Sequence, residues 1–383
     1  MKNIKLINLL IFGMMLVTVL TETVTAQQNH VPGAAIHARG YAALKPEWKF
    51  TPYEFDRRSL GDDDILVEIL YCGICHTDLH QVAEDWRKGT FPMVPGHEIV
   101  GLVKEVGKNV RNFKVGDHAG VGCLVNSCGK CESCLEDDEQ YCPRAVWTYN
   151  STDVDGSPTM GGYSNNIVVT ERFAAKIPPE APLEKVAPLL CAGITTYSPL
   201  QYNHVKQGDK VAVAGFGGLG HMAVQYAVAF GAEVTVFDIT EEKRQAAAEM
   251  GAVKYVNVKN ADELRGLENT FHLVISTIPT NYDVEMYLRM LKKDGIMVLL
   301  GMPPKDQAPI LKTNALRGRR KIYGSLIGGL RETQEMMDFS VKNNIYPKVE
   351  LIPIQKLDEA FQNIAAGKFP FRYVIDMQSL NGQ

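Results

Sequence analysis

The sequence has no long run of charge of one sign, no internal repeat and no low-complexity tract. It has no excess of basic residues either: 40 Lys and Arg against 44 Asp and Glu give a net charge of −4. Binding to a phosphate backbone ordinarily shows as a basic patch, so nucleic acid is not an expected partner. Beyond residue 26 no segment is long and apolar enough to cross a bilayer, which takes about 20 consecutive apolar residues. Hydrophobic residues make up 45% of the chain and charged residues 22%. That ordinary balance excludes a disordered chain, a fibrous repeat and a polytopic membrane protein. At roughly 100–200 residues per domain, the 383 residues suggest two domains.

The N-terminus reads differently from the rest. Lys2 and Lys5 supply a positive start, and Leu6 to Leu20 is apolar except at Asn8, Gly13 and Thr18. Val24-Thr25-Ala26 then supplies small residues at the spacing of a cleavage site. This is the layout of a secretory signal peptide cleaved after Ala26. The alternatives are an uncleaved anchor or a misassigned start codon. A used signal implies a periplasmic or secreted protein with no stable membrane insertion after cleavage; without it the protein is cytoplasmic.

From about residue 35 to 180 the chain carries short β-like runs: Ile65 to Leu70, Ile99 to Val106 and Ile167 to Val169. Proline and glycine punctuate them, which suggests a compact β barrel or sandwich. From about 190 the texture changes. Apolar strands at Val211–Ala214, Val234–Phe237, Leu273–Ile275 and Ile296–Leu300 alternate with helical stretches at His221–Phe230 and Glu241–Met250. Alternation of this kind implies a parallel sheet of βαβ units. Glu332–Val341 and Asp358–Ala366 read as further helices.

The eight cysteines all lie beyond residue 26. Exported proteins tend to oxidise theirs, but the spacing Cys128-x2-Cys131-x2-Cys134-x7-Cys142 argues for metal. Four thiolates so close together can surround one zinc ion tetrahedrally, leaving no position for substrate. Such a site is structural and would pin a loop with little apolar sequence of its own. Two disulfides are the alternative. Cys123 is left over and reads as a small buried hydrophobe.

Gly215-Phe216-Gly217-Gly218-Leu219-Gly220 is a G-x-G-x-x-G loop. It follows a predicted strand and opens a predicted helix, the context a dinucleotide-binding loop requires. The glycines permit a tight turn, a close approach to pyrophosphate and close helix–strand packing. The helix N-terminus then faces negative charge. Asp238 ends the next strand, where an acidic residue bonds adenosine ribose hydroxyls and repels a 2′-phosphate.

A second set of metal-ligating residues is scattered. Cys75 stands in Cys72-Gly73-Ile74-Cys75-His76-Thr77-Asp78, His97 and Glu98 in Gly96-His97-Glu98, and Cys191 in Leu189-Leu190-Cys191-Ala192-Gly193. None of these is diagnostic singly. Together with the four-cysteine cluster, the segment Gly96-His97-Glu98-x2-Gly101-x5-Gly107-x2-Val110 resembles the zinc-containing alcohol dehydrogenases of the medium-chain dehydrogenase/reductase family. The resemblance spans nearly the whole chain after residue 26. The segments Pro188–Tyr197, Gly161–Ser164 and Gly324–Gly328 are similar to the cinnamyl alcohol dehydrogenase branch.

The resemblance implies an α/β plus β architecture. A GroES-like β-barrel catalytic domain would be formed by 27–190 and 330–383, with a Rossmann coenzyme domain, a doubly wound parallel sheet, inserted at 191–329. It implies that Cys75, His97 and Cys191 hold a catalytic zinc, while Cys128, Cys131, Cys134 and Cys142 hold a structural one. Three protein ligands leave a position open for an alcohol or aldehyde oxygen. Glu98 either approaches the zinc or orients its ligands. Thr77 would bond the substrate oxygen and His80 would pass its proton outward, a hydroxyl being able to donate and accept at once. Asp78 either assists or only caps local structure, and His76 would lie near the pyrophosphate. Trp147 would form a flat pocket wall for an aromatic or medium-chain alcohol.

The coenzyme contacts expected are Gly215, Gly217, Gly218, Leu219, Gly220, Asp238, Thr240 and Lys243. Asp238 favours NAD(H). The branch has a small hydroxyl residue there and uses NADP(H), and Thr240, Lys243 and Arg244 keep groups which such enzymes place near the phosphate. The expected activity is hydride transfer between a primary alcohol and nicotinamide, by a protein expected to be a homodimer. The alternatives are a polyol or secondary-alcohol dehydrogenase on the same scaffold, and an exported zinc-binding protein without catalysis.

Overall fold

The computed structural model describes residues 33–305, 317–368 and 371–382. The expected export signal at residues 1–26 lies outside them. Among the described residues no helix is long and apolar enough to cross a membrane.

Six strands form a parallel sheet. In spatial order they are Lys254–Asn257, Glu233–Asp238, Lys210–Ala214, Phe271–Ser276, Leu291–Leu299 and Lys321–Gly324. The chain builds outward from Lys210–Ala214 in one direction, returns, and builds outward in the other. This reversal leaves a crevice beyond the C-terminal ends of the central strands, the usual ligand position in such sheets. Val211, Ala212, Val213 and Ala214 are all fully buried. Burial on both faces is why the strand reads as an unbroken apolar run rather than an alternating one.

The strand ends at Gly215, whose φ of +88° is one that L side chains rarely adopt. A Cβ at Gly220 would stand 1.9 Å from the Gly215 carbonyl oxygen. Both glycines are therefore sterically required, and the helix Gly220–Ala229 starts where they let the chain turn back onto the sheet. The next helix, expected from Glu241, begins only at Arg244. The reason is local: Asp238 Oδ1 accepts the amides of Ile239 and Thr240 at 2.7 and 3.2 Å, which holds the segment in a turn.

The second unit is a seven-stranded sheet. Asp64–Gly73 is central, flanked by Ile99–Val106 and Arg372–Asp376, with Asn166–Thr170 also paired to it. His118–Val121 and Ala174–Ile177 continue one side, and Val349–Pro353 the other. Along Asp64–Gly73, Ile65, Val67 and Ile69 are buried at alternate positions, as a half-buried strand requires. Two of these strands come from the end of the chain, so this sheet is assembled from both termini of the described chain.

Candidate active site

The helix His76–Val82 begins one residue after Cys75, which serves as its N-cap. Asp78, fully buried, closes that cap by accepting the Cys75 amide on Oδ2 at 2.9 Å. The same carboxylate accepts the Tyr163 hydroxyl at 3.0 Å and the Gly96 amide at 3.3 Å. Its Oδ1 also lies 3.2 Å from His97 Nδ1. Asp78 therefore caps the helix, as one of the two sequence readings has it, and also fixes the His97 ring, a role the sequence does not suggest.

With Nδ1 committed to Asp78, the other ring nitrogen of His97 is buried with no hydrogen-bond partner. The ligating atoms of Cys75, His97, Glu98 and Cys191 all lie within 4.8 Å of one another. The Cys75 and Cys191 sulfurs are 3.9 Å apart. Two thiolates on one tetrahedral zinc, with bonds of about 2.3 Å, stand about 3.8 Å apart. The donor set, the spacing and the orphaned imidazole nitrogen all fit a zinc ion. A hydrogen bond with Cys191, helped by His97 and Arg372 nearby, holds the Cys75 thiol well below its usual range, which suits a ligand.

Glu98 is fully buried and faces Arg372, whose Nη2 donates to its Oε1. Its Oε2 has no partner. Burial pushes the Glu98 carboxyl up to about 7, against the downward pull of Arg372. Arg372 is 4% exposed and reaches on toward the glycine loop, with its Nη1 3.3 Å from where a Cβ of Gly218 would sit. Sequence reading missed this residue, since nothing near Phe371-Arg372-Tyr373 marks it.

Cys128, Cys131, Cys134 and Cys142 also converge, with ligand atoms within 4.8 Å of one another. The Cys134 sulfur stands 3.9 Å from that of Cys128 and 3.5 Å from that of Cys131, and all four thiols are free. These separations are close to the edges of a zinc tetrahedron and far from a disulfide bond of about 2 Å.

One cleft of about 1230 Å³ joins the Cys75–His97–Cys191 set to the glycine loop. Thr77, His80, His76 and Trp147 line it on one side, and Gly215, Gly217, Gly218 and Leu219 on the other. His80 Nδ1 lies 2.6 Å from Asp85 Oδ2, and its Nε2 is buried without a partner. Asp85 was not singled out in the sequence; it comes into place because its amide bonds back to the His80 carbonyl at 3.0 Å.

Asp238, Thr240 and Lys243 line the far end of the cleft. The Asp238 carboxylate is committed within the protein. Oδ2 accepts the Phe216 amide at 2.8 Å, and Oδ1 accepts the Thr240 hydroxyl at 3.1 Å besides the two amides of its own turn. Lys243 Nζ stands 3.5 Å from Oδ2. Arg244 turns away to Glu241 and Glu263.

Cys123 departs from expectation. It is partly exposed rather than buried, and it lines the cleft.

Residues 61–179 match the alcohol dehydrogenase GroES-like domain, and residues 218–342 match the zinc-binding dehydrogenase domain. The chain is 46% identical over 345 residues to cinnamyl alcohol dehydrogenase 2 of Rauvolfia serpentina, covering 89% of this chain and 95% of that protein. It is 47% identical over 330 residues to a mannitol dehydrogenase of Petroselinum crispum, covering 85% and 97%. The crystal structure of CAD from Helicobacter pylori complexed with NADP(H) superimposes with a TM-score of 0.86 at 50% identity, covering 90% of this chain and 99% of that one.

Proposed function

Because the chain belongs to the zinc-binding alcohol dehydrogenases of the medium-chain dehydrogenase/reductase family, we propose that it interconverts primary aromatic or medium-chain alcohols and their aldehydes. The observation that carries this reading is the convergence of the Cys75, His97 and Cys191 ligating atoms in the cleft that the glycine loop also lines. Zinc bound there supplies Lewis acidity, and a nicotinamide dinucleotide supplies or takes the hydride. The protein's own groups do the rest. Thr77 holds the substrate oxygen through its hydroxyl. The proton moves on to His80 Nε2, and the Asp85 carboxylate on Nδ1 keeps that ring in the tautomer able to accept it. Trp147 and Trp86 give the cleft flat apolar walls suited to an aromatic ring.

The mannitol dehydrogenase relative favours a second reading, a polyol substrate. The assay that separates the two follows NADH and NADPH oxidation with benzaldehyde and cinnamaldehyde, and coenzyme reduction with mannitol. The expected result is kcat/KM at least about tenfold higher for the aromatic aldehydes than for mannitol, since desolvating a polyol against apolar walls is unfavourable. No turnover with any of them by protein holding about two zinc ions per chain would overturn the proposal.

Asp238 alone points to NAD(H). With its oxygens bonded to Phe216, Ile239 and Thr240, and with Lys243 at 3.5 Å, little bare negative charge is left to repel a phosphate. The relative crystallised with NADP(H) supports the same view. We therefore expect kcat/KM for NADH and NADPH to agree within about tenfold, about 1.4 kcal/mol. A hundredfold preference for NADH would show that Asp238 still acts as an unscreened carboxylate.

A further inference from the structure

The lobe that carries Cys128, Cys131, Cys134 and Cys142 also presents Glu139, which opens a short 3-10 helix and is 1% exposed. A carboxylate so buried needs partners. Arg172 Nη2 donates to its Oε1 at 2.7 Å, and the Leu330 backbone amide donates to its Oε2 at 3.1 Å. Leu330 is the first residue of the helix Leu330–Lys342, whose N-cap is Gly329. Glycine has no side chain with which to cap, so the first amide of this helix finds no partner in its own segment. Glu139 supplies one from 191 positions away, and its charge suits the positive end of the helix dipole.

The backbones fit closely at the same joint. A Cβ at Gly329 would collide with the Asp137 carbonyl oxygen and stand 3.2 Å from Glu139 Oε2. The exposed pair of Arg331 and Asp137, with Nε 2.8 Å from Oδ2, is a second tie, of a kind worth little at a surface.

Just before this joint the chain borders the catalytic cleft. Lys321–Gly324 is the outermost strand of the parallel sheet, and Ser325, Leu326 and Ile327 leave its C-terminal end and line the cleft. That is the end at which such sheets bind their ligands. Ile327 has a φ of +42°. For a β-branched residue this conformation is costly and persists only where the surroundings impose it. On one side of Ile327 the strand is paired with Leu291–Leu299; on the other, Gly329 is seated on the four-cysteine lobe. The strained residue sits between two fixed ends.

We propose that Glu139 is a positioning residue for coenzyme binding: by holding the Leu330 amide it fixes the joint between the four-cysteine lobe and the Ser325–Ile327 segment, so that this segment keeps its place in the cleft. None of residues 124–146 lines the cleft, so Glu139 acts only through the segment it holds. The proposal takes from the preceding reading only that the cleft binds a nicotinamide dinucleotide.

The test measures NADH and NADPH dissociation constants by coenzyme fluorescence, on the full chain with about two zinc ions bound. Glu139→Ala removes the acceptor and is expected to weaken binding about tenfold. Glu139→Gln keeps an oxygen for the Leu330 amide and should stay within about threefold of the unaltered protein. Leu330→Pro removes the same hydrogen bond from its other end, since proline lacks the N–H and is well tolerated at the first position of a helix. It should match Glu139→Ala within about threefold, and it decides the matter if that variant does not fold. Arg331→Ala, which removes only the exposed tie, should change affinity by less than about twofold.

The strained residue gives a second readout, because glycine adopts the Ile327 conformation without penalty. In an Ile327→Gly background, Glu139→Ala should cost less than about threefold, whereas a merely destabilising role costs the same in both backgrounds. Affinity within about twofold of the unaltered protein in both Glu139→Ala and Leu330→Pro would overturn the proposal. So would an equal loss on Glu139→Ala in both backgrounds. No coenzyme binding by the unaltered protein would overturn the proposed function and this inference with it; coenzyme binding without turnover of any aldehyde would overturn the former alone.

Discussion

Replacing His97 with alanine is expected to empty the catalytic zinc position and to lower kcat/KM by about 10³-fold or more, since Lewis-acid stabilisation is worth several kcal/mol. The ring is 3% exposed and held from behind by Asp78, so its free nitrogen has one orientation. Alanine offers no donor, and of the groups that remain beside the two thiols only Glu98 could replace it, a carboxylate already engaged by Arg372. Metal analysis should fall from about two zinc ions per chain to about one, because the four-cysteine lobe is a separate site. His97→Asn keeps a polar group of similar bulk beside Asp78, and the same metal loss is expected there. Two zinc ions with unchanged kcat/KM in either variant would remove His97 from the ligand set.

Arg372→Met is expected to destabilise the protein by about 3–5 kcal/mol, the range for breaking a buried ion pair by removing one partner. Glu98 is fully buried, and Arg372 is its charged partner. Methionine fills much of the space but leaves Glu98 buried without a cation, so that it must either stay charged and unpaired or take up a proton, and both cost stability. The double variant E98Q/R372M removes that charge and should recover more than half of the loss, which a cycle of denaturant midpoints would measure. A purely steric role for Arg372 would leave the double variant no better than the single one. Because Arg372 also borders the glycine loop, NADH binding by fluorescence should weaken in both variants, whatever the stability result.

Several parts of this site are legible locally. The four-cysteine lobe is written in spacings of two and seven residues, since one short loop supplies every ligand. The strand–glycine–helix unit is legible because Gly215 and Gly220 are forced by a turn that closes within six residues. The scattered candidate ligands are legible only through family likeness, because two helix starts and a loop from distant parts of the chain bring them together. Arg372 and Glu98, separated by 274 positions, leave no local trace. Asp78 is visible as a helix cap, yet three of its four contacts come from residues 96, 97 and 163, which no periodicity connects to it. Cys123 misleads for the same reason: its surroundings are set by the segment at 190, and its composition says nothing of them. Asp238 was recognised as a coenzyme-facing carboxylate, but how far its charge is already neutralised depends on amides that only the folded turn delivers.

The strand Arg372–Asp376 pairs with Asp64–Gly73, and this carries a consequence for biosynthesis. The catalytic half cannot be finished when its own first segments leave the ribosome; it must wait for the whole coenzyme sheet and then for the final strand. Until then Glu98 has no counter-charge. Non-local pairing of this kind folds slowly and leaves partly built sheets open to misassembly. A chain cut short before Arg372 would contain every cysteine and histidine needed for both metals, yet would lack the strand and the cation that complete the catalytic half.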